Sequence, residues 1–261
     1  MAPILTAVRF ARFMDSGKTK PAIFACEDSS GADAEEYVVK LRGGIESRES
    51  GLLHELLAAK LAEHFRIASP QPALIHIEKN LAELISGIEP SHKTCILSSI
   101  GLNFGTKLVS GYSVWPVDKY IPDAIWQTAV DIFAFDALVQ NPDRRFDNPN
   151  LFVNGNSILI FDHEMAFSFL RTIFPSTTPW KLEREAYLQE HVFYRKLKSK
   201  PIDLDGFIQN LSTLSDTLLE SIMTDVPQEW NNDTVPMISQ HIRSIRDHAS
   251  DFDEEIRRFL A

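Results

Sequence analysis

Cysteine is nearly absent from this chain of 261 residues: Cys26 and Cys95 are the only two, and they lie far apart. Two distant thiols give neither a zinc ligand set nor a disulfide framework. Positive charge is also short, with 26 Lys and Arg against 36 Asp and Glu and a formal net charge of −10. An acidic chain without a dense Lys/Arg cluster repels phosphate backbones at long range, which argues against DNA or RNA as the main partner. Local basic spots such as "RKLKSK" from Arg195 to Lys200 read as a site for a small anionic ligand or, more plainly, as a solvated helix end, where Lys and Arg are favoured anyway. No run of 18 apolar residues occurs, so no transmembrane helix is expected. The opening "MAPILTAVRFARF" has no basic leader and no small-residue cleavage site, so no signal peptide is expected and the expected location is the cytoplasm.

What is present is ordinary globular material, 44% hydrophobic, enough for one large domain or two small ones. The first third reads as strands. "ILTAVRFARF" and "AIFACED" flank a polar Ser-Gly turn as a hairpin would, and Tyr37, Val39 and Leu41 alternate with Val38 and Lys40 at strand period. Lys40 therefore points to the face opposite Tyr37 and Leu41. The stretch "SRESGLLHELLAAKLAEHFRIASPQP" keeps an apolar stripe at helical spacing until Pro70 is expected to stop it. "ALIHIE" and "FGTKLVSG" look like two more strands. From "DKYIPDAIWQTAVDIFAFDALVQN" onward the texture is mostly helical, including "WKLEREAYLQEHVFYRKL", "DLDGFIQNLSTLSDTLLESIM" and "SQHIRSIRDHASDFDEEIRRFL". The expected architecture is α+β: a small antiparallel-sheet lobe with one main helix over residues 1–112, then a larger helical lobe over 113–261.

Two motifs carry chemistry. "SGKT" at Ser16 to Thr19 invites a Walker reading, but that motif needs a glycine five residues before Gly17, where Arg12 stands, and it opens a helix rather than joining strands. A Ser-Gly turn can still offer backbone N–H groups to an anion. The second motif is "ALVQNPDRRFDNPNLFVNGNSILIFDHEMAF". Asn148 follows Asp143 by five residues, and Asp162 lies beyond two strand-like runs joined by the hairpin turn "NGNS". A hairpin brings its end back to its start, so two carboxylates and one amide oxygen gather in one place. Mg²⁺ favours hard oxygen ligands of this kind, and the order Asp, Asn, hairpin, Asp is that of a kinase catalytic loop. Upstream, Lys40 sits in an apolar strand and Glu55, 15 residues on, in an apolar helix. An unpaired charge in such a place is costly. Lys40 reads as snorkelling or as paired, Glu55 as exposed on the helix's polar side or as its partner, and a kinase pairs a strand lysine with a helix glutamate in this order.

"YVVKL", "HELLAAKLA", "FDALVQNPDRRFDNPNLF" and "IFDHEMAF" resemble the HipA-like kinases, in the compact group that is little more than a kinase domain. The loop is also distantly similar to that of phosphatidylinositol kinases. The resemblance implies a two-lobed protein-kinase-like fold and an ATP- and Mg²⁺-dependent phosphotransferase, with a protein Ser/Thr or another alcohol as acceptor. It implies Asp143 as the catalytic base, Asn148 and Asp162 as metal ligands, and Lys40 as the phosphate-binding lysine with Glu55 as its helix partner. Ser16, Gly17, Lys18 and Thr19 take the place of the phosphate-covering loop, and backbone around Lys107, Val109 and Ser110 the place of the adenine-binding hinge. Glu164 stands where the third residue of the metal-binding element is often Gly, which favours a fixed segment there, and it is the one feature pointing instead to a nucleotide-binding pseudokinase. Arg144 and Arg145 flank the base and read as phosphate- or carboxylate-contacting groups or as solvent-exposed loop arginines. Asp136 is expected to brace the loop, and Asn150 to orient Asn148 or, the favoured reading, to close its turn.

Overall fold

The computed structural model describes residues 2–15, 19–31, 34–47, 49–116 and 119–261. Contacts divide the chain into two compact units, Met1–Leu56 with Pro70–Ser110, and Leu57–Ser69 with Gly111–Ala261. The structure mixes α and β throughout.

Among its described residues the first unit holds five strands: β1 (Ile4–Phe13), β2 (Ala22–Glu27), β3 (Glu35–Lys40), β4 (Pro72–Ile77) and β5 (Gly101–Lys107). They close into a barrel in the order β1-β2-β3-β5-β4. The expected purely antiparallel sheet is thus corrected: Ile4, Leu5 and Thr6 pair in parallel with Leu74, Ile75 and His76. The physical cause lies in β1. Its pairing with β2 shifts register between Ala7 and Arg9 and again between Phe10 and Arg12. Each such bulge adds a bend and extra twist, and the bent strand serves β2 along its length while its first residues reach β4. Alternate residues of each strand fill the interior, among them Ala7, Phe24, Tyr37, Val39 and Ile75. A Cβ on Gly105 would come within 2.6 Å of the Ile75 side chain, so only glycine lets Ile75 into that layer.

The helix α1 (Glu49–His64) runs on after β3 and is buried along Leu52, Leu53, Leu56, Leu57, Ala58 and Leu61. It ends well before Pro70. Arg66 has a φ of +58°, Arg66 N–H donates to the Glu63 carbonyl, and Ile67 N–H donates to the Ala62 carbonyl. Those two bonds are a Schellman closure, with an arginine in the left-handed position usually given to glycine. One main helix was expected in this part of the chain; α2 (Lys79–Ile88) and α3 (Lys93–Leu97) are additional. They follow β4 directly, and Ala82, Ile85 and Ile96 cover the barrel core.

The second unit contains β6 (Ser113–Val114), α4 (Trp126–Leu138), β7 (Leu151–Asn154), β8 (Ser157–Ile160), and the helices α5 (Tyr194–Leu197), α6 (Asp205–Ser212), α7 (Asp216–Thr224), α8 (Thr234–Arg246) and α9 (Ala249–Leu260). β6, β7 and β8 form a small antiparallel sheet. The expected helix over "WKLEREAYLQEHVFYRKL" is reduced to a short 3₁₀ turn at Ala186–Glu190 and the single turn of α5. The backbone there is engaged elsewhere: the Glu190 carbonyl accepts from Phe146 N–H and Val192 N–H donates to the Arg144 carbonyl. A segment that pairs with a loop cannot also complete an i to i−4 ladder. Within the described residues no helix is long and apolar enough to cross a membrane.

Candidate active site

Asp136 lies in the last turn of α4 and is fully buried. Its Oδ1 accepts from Asn141 Nδ2 at 3.1 Å, and its Oδ2 accepts from Arg144 Nε at 2.6 Å. Phe193 N–H donates to His191 Nδ1, so the proton of the neutral ring sits on Nε2, which donates to Asp136 Oδ2 at 3.0 Å. Burial pushes the Asp136 carboxyl up, but the Arg144 guanidinium and the His191 hydrogen bond outweigh it and hold the group below its ordinary value. His191 is driven down, first by burial. The expected brace is therefore present, and it is made by an arginine.

Arg144 is 0% exposed, which removes it from phosphate contact and from solvent alike. Its Nη1 donates to the carbonyls of Asn150, at 2.6 Å, and Phe161, at 3.1 Å. One guanidinium thus ties the loop after Asp143 to the strand end before Asp162. The hairpin register does the same from the other side: Leu151 faces Ile160, and Phe161 N–H donates to the Asn150 carbonyl at 3.1 Å. Asp162 follows one residue beyond, with a φ of +60°. The segment after it is tied down as well, since Phe167 N–H donates to the Val139 carbonyl and Arg171 to the carbonyls of Glu164 and Met165.

The Asp143 side chain is 26% exposed. Its Oδ2 accepts from Asn148 Nδ2 at 3.0 Å and from Asn150 Nδ2 at 3.2 Å. Arg145 Nη1 lies 3.8 Å from Oδ1, while Arg145 Nε donates to Asp147 Oδ1 at 2.9 Å. The Arg145 and Asn148 backbones bond reciprocally, which closes the loop between Asp143 and the Asn148 amide. Because Asn148 spends its amide N–H groups on Asp143, its Oδ1 is the atom left for a cation; among the described residues it accepts no hydrogen bond. One carboxylate at Asp162 and one amide oxygen at Asn148 are hard donors that suit Mg²⁺, which takes few protein ligands and completes its shell with phosphate and water. Among the described residues no group of three or more His, Cys, Asp or Glu is arranged to hold a metal.

In the first unit Lys40 Nζ donates to Glu55 Oε1. Glu55 is only 2% exposed, so the charge is buried and paired. β3 supplies the lysine, opposite Phe104 of β5, and α1 supplies the carboxylate. Of the phosphate-covering turn, Ser16, Gly17 and Lys18 lie outside the described residues. Thr19 is described, and its carbonyl would stand 2.6 Å from a Cβ on Gly44, so the return leg of the turn needs a glycine beneath it. Around the expected hinge, Lys107 N–H donates to the Gln71 carbonyl, and Lys107 Nζ pairs with Glu35 at 2.6 Å. The Lys107 backbone N–H is thus engaged and its ammonium paired, and Val109 and Ser110, beyond β5, carry N–H groups with no backbone acceptor among the described residues.

Sequence reasoning missed the Asn150 contact to Asp143, the internal role of Arg144 and all of His191. A carboxylate in the apolar "FAFDALVQ" signalled that a buried partner was needed, and Arg144, eight residues on, was within its reach. No local signal marks His191, 55 residues from Asp136.

This architecture is shared with a known kinase. The crystal structure of the Helicobacter pylori proinflammatory kinase CtkA superposes with a TM-score of 0.53 at 12% identity, over 100% of this chain and 99% of that one. At such identity the likeness is one of fold. A search of curated proteins finds no match. The chain belongs to the HipA-like kinase family, whose model matches residues 7–256. It is an enzyme of the kinase type, a phosphotransferase.

Proposed function

We propose that this chain transfers the γ-phosphate of ATP to an acceptor hydroxyl in the presence of Mg²⁺, with Asp143 as the base. The reading extends to a two-lobed kinase organisation, residues 1–112 serving the nucleotide and 113–261 carrying the catalytic loop. The observation that carries it is the loop itself: a half-buried Asp143 carboxylate held through Oδ2, beside an Asn148 whose oxygen is left over and an Asp162 returned to the same loop by a hairpin.

In this mechanism Oδ1 of Asp143, the oxygen that the amides leave open, orients the acceptor hydroxyl and takes its proton as the oxygen attacks phosphorus. Lys40, fixed in direction by Glu55, neutralises charge on the nucleotide phosphates. Asn148 Oδ1 and the Asp162 carboxylate would hold Mg²⁺, which supplies charge neutralisation on the phosphate oxygens. Thr19, Lys107, Val109 and Ser110, with Ser16, Gly17 and Lys18, are proposed as backbone contacts to the nucleotide. The acceptor class to test first is a protein Ser or Thr.

The test is ATP binding and turnover, by autophosphorylation or slow hydrolysis, in wild type, Asp143→Asn and Asp162→Asn. Asp143→Asn should bind ATP normally and lose about 10²–10⁴-fold in turnover, the usual contribution of a general base. Asp162→Asn should lose turnover together with Mg²⁺-dependent nucleotide affinity. Full turnover in Asp143→Asn would overturn the assignment of the base.

A further inference from the structure

We infer that Asn150 is a positioning residue for Asp143: its side-chain amide, with that of Asn148, holds the carboxylate by Oδ2 so that Oδ1 alone meets the acceptor. The inference rests on the reading of Asp143 as the base and adds a residue to it.

Four observations carry it. Asn150 Nδ2 lies 3.2 Å from Asp143 Oδ2 and 3.3 Å from the Asp143 carbonyl oxygen. Both neighbours are acceptors, so the amide must present its NH₂ and not its oxygen to them. The residue is 6% exposed, which removes water as a competitor for those bonds. Its backbone is held independently of its side chain, through a carbonyl that accepts from Arg144 Nη1 and from Phe161 N–H. Finally, its φ is +47°, a left-handed conformation that asparagine tolerates better than other side-chain-bearing residues.

The division of labour follows. Asn148 has a second duty in the proposed mechanism, where its Oδ1 would hold the cation, and any shift toward a ligand alters its hold on Asp143. Asn150 has no such duty and keeps the carboxylate in place when Asn148 is engaged. A carboxylate free to rotate would present either oxygen, at varying angles, and a misplacement of this kind near the reacting atoms lowers the turnover step rather than nucleotide affinity.

The decisive variant is Asn150→Gly, which keeps the left-handed backbone and deletes only the amide. It is compared with wild type and Asp143→Asn for ATP turnover, nucleotide affinity by calorimetry and melting temperature. The expected result is a fall in kcat of about 10- to 100-fold, with ATP affinity within twofold and the melting temperature within about 2 °C of wild type. Unchanged kcat in Asn150→Gly, with Asp143→Asn inactive, would overturn the positioning role and leave the base intact. A loss of kcat matched by a parallel loss of ATP affinity or of melting temperature would also overturn it, because Asn150 would then merely support the loop. Undiminished turnover in Asp143→Asn, or none in wild type, would remove the base and the inference with it.

Discussion

At the scale of single residues, the legible part of the site was the part whose chemistry is written in residue type and short spacing. Lys40 and Glu55 stood out as charges among apolar neighbours, and the structure pairs them. Asp143 and Asn148 stood out by their five-residue interval, and they touch. For Arg144 the carboxylate contact was legible but not its direction: sequence shows that it adjoins Asp143 and not that it is turned inward, onto Asp136 and two carbonyls. That burial makes a sharp prediction. Arg144→Met leaves Asp136 as a buried carboxylate whose ion pair is gone, and stability should fall by about 3–5 kcal/mol. Urea unfolding midpoints compare the two proteins, and a loss below about 1 kcal/mol would mean that Asp136 does not depend on the guanidinium.

At the scale of elements, strands came through their period of two and the long helices through their apolar stripes, while ends and pairings did not. Pro70 looked like the stop of α1, yet the chain turns at Arg66, where backbone bonds from Arg66 and Ile67 close the helix. Nothing in the side chain of arginine announces a left-handed residue. Arg66→Gly should therefore stabilise the protein by about 1 kcal/mol, since the strain of a left-handed L-residue is relieved. For a chain of this size that is about 2–4 °C in thermal midpoint. An unchanged or lower midpoint would show that the arginine side chain contributes something the helix end needs. The segment before α5 taught the opposite lesson: a good helical pattern gave way because its backbone pairs with the catalytic loop at Arg144 and Phe146. Barrel closure was equally hidden, because it depends on two bulges in β1 and a partner about 70 residues distant.

At the scale of the whole molecule, three buried titrating groups act in the same direction. His241 is held neutral, its pKa lowered by burial to about 4, while its Nε2 donates to the Leu138 carbonyl just before the catalytic loop. Unfolded, that ring takes a proton near 6.5. The unfolded state therefore binds more protons between those values, and stability present above 6.5 is lost as pH falls towards 4, by up to about 3 kcal/mol. His191, also lowered by burial, adds to the same slope, and the depressed Asp136 adds a further loss at more acid pH, as it falls through its folded value. The sequence pI of about 5.3 lies inside this window, so net charge fades while stability falls. We expect chemical-denaturation midpoints to drop steadily from pH 7.5 to 4.5, with precipitation near pH 5. His241→Gln, which keeps a donor for Leu138, should flatten the slope; the same slope in both proteins would assign the acid sensitivity elsewhere.

The double grip of Arg144 on Asn150 and Phe161 has a consequence for inhibitor chemistry. Some compounds owe their selectivity to a pocket that opens when a metal-binding carboxylate swings outward. In the proposed mechanism that carboxylate is Asp162, and its swing would have to pull Phe161 away from a buried guanidinium and release Phe167 from Val139. Ligands of that type should find little purchase on this enzyme, and a screening collection is better weighted towards molecules that accept Asp162 where it already stands.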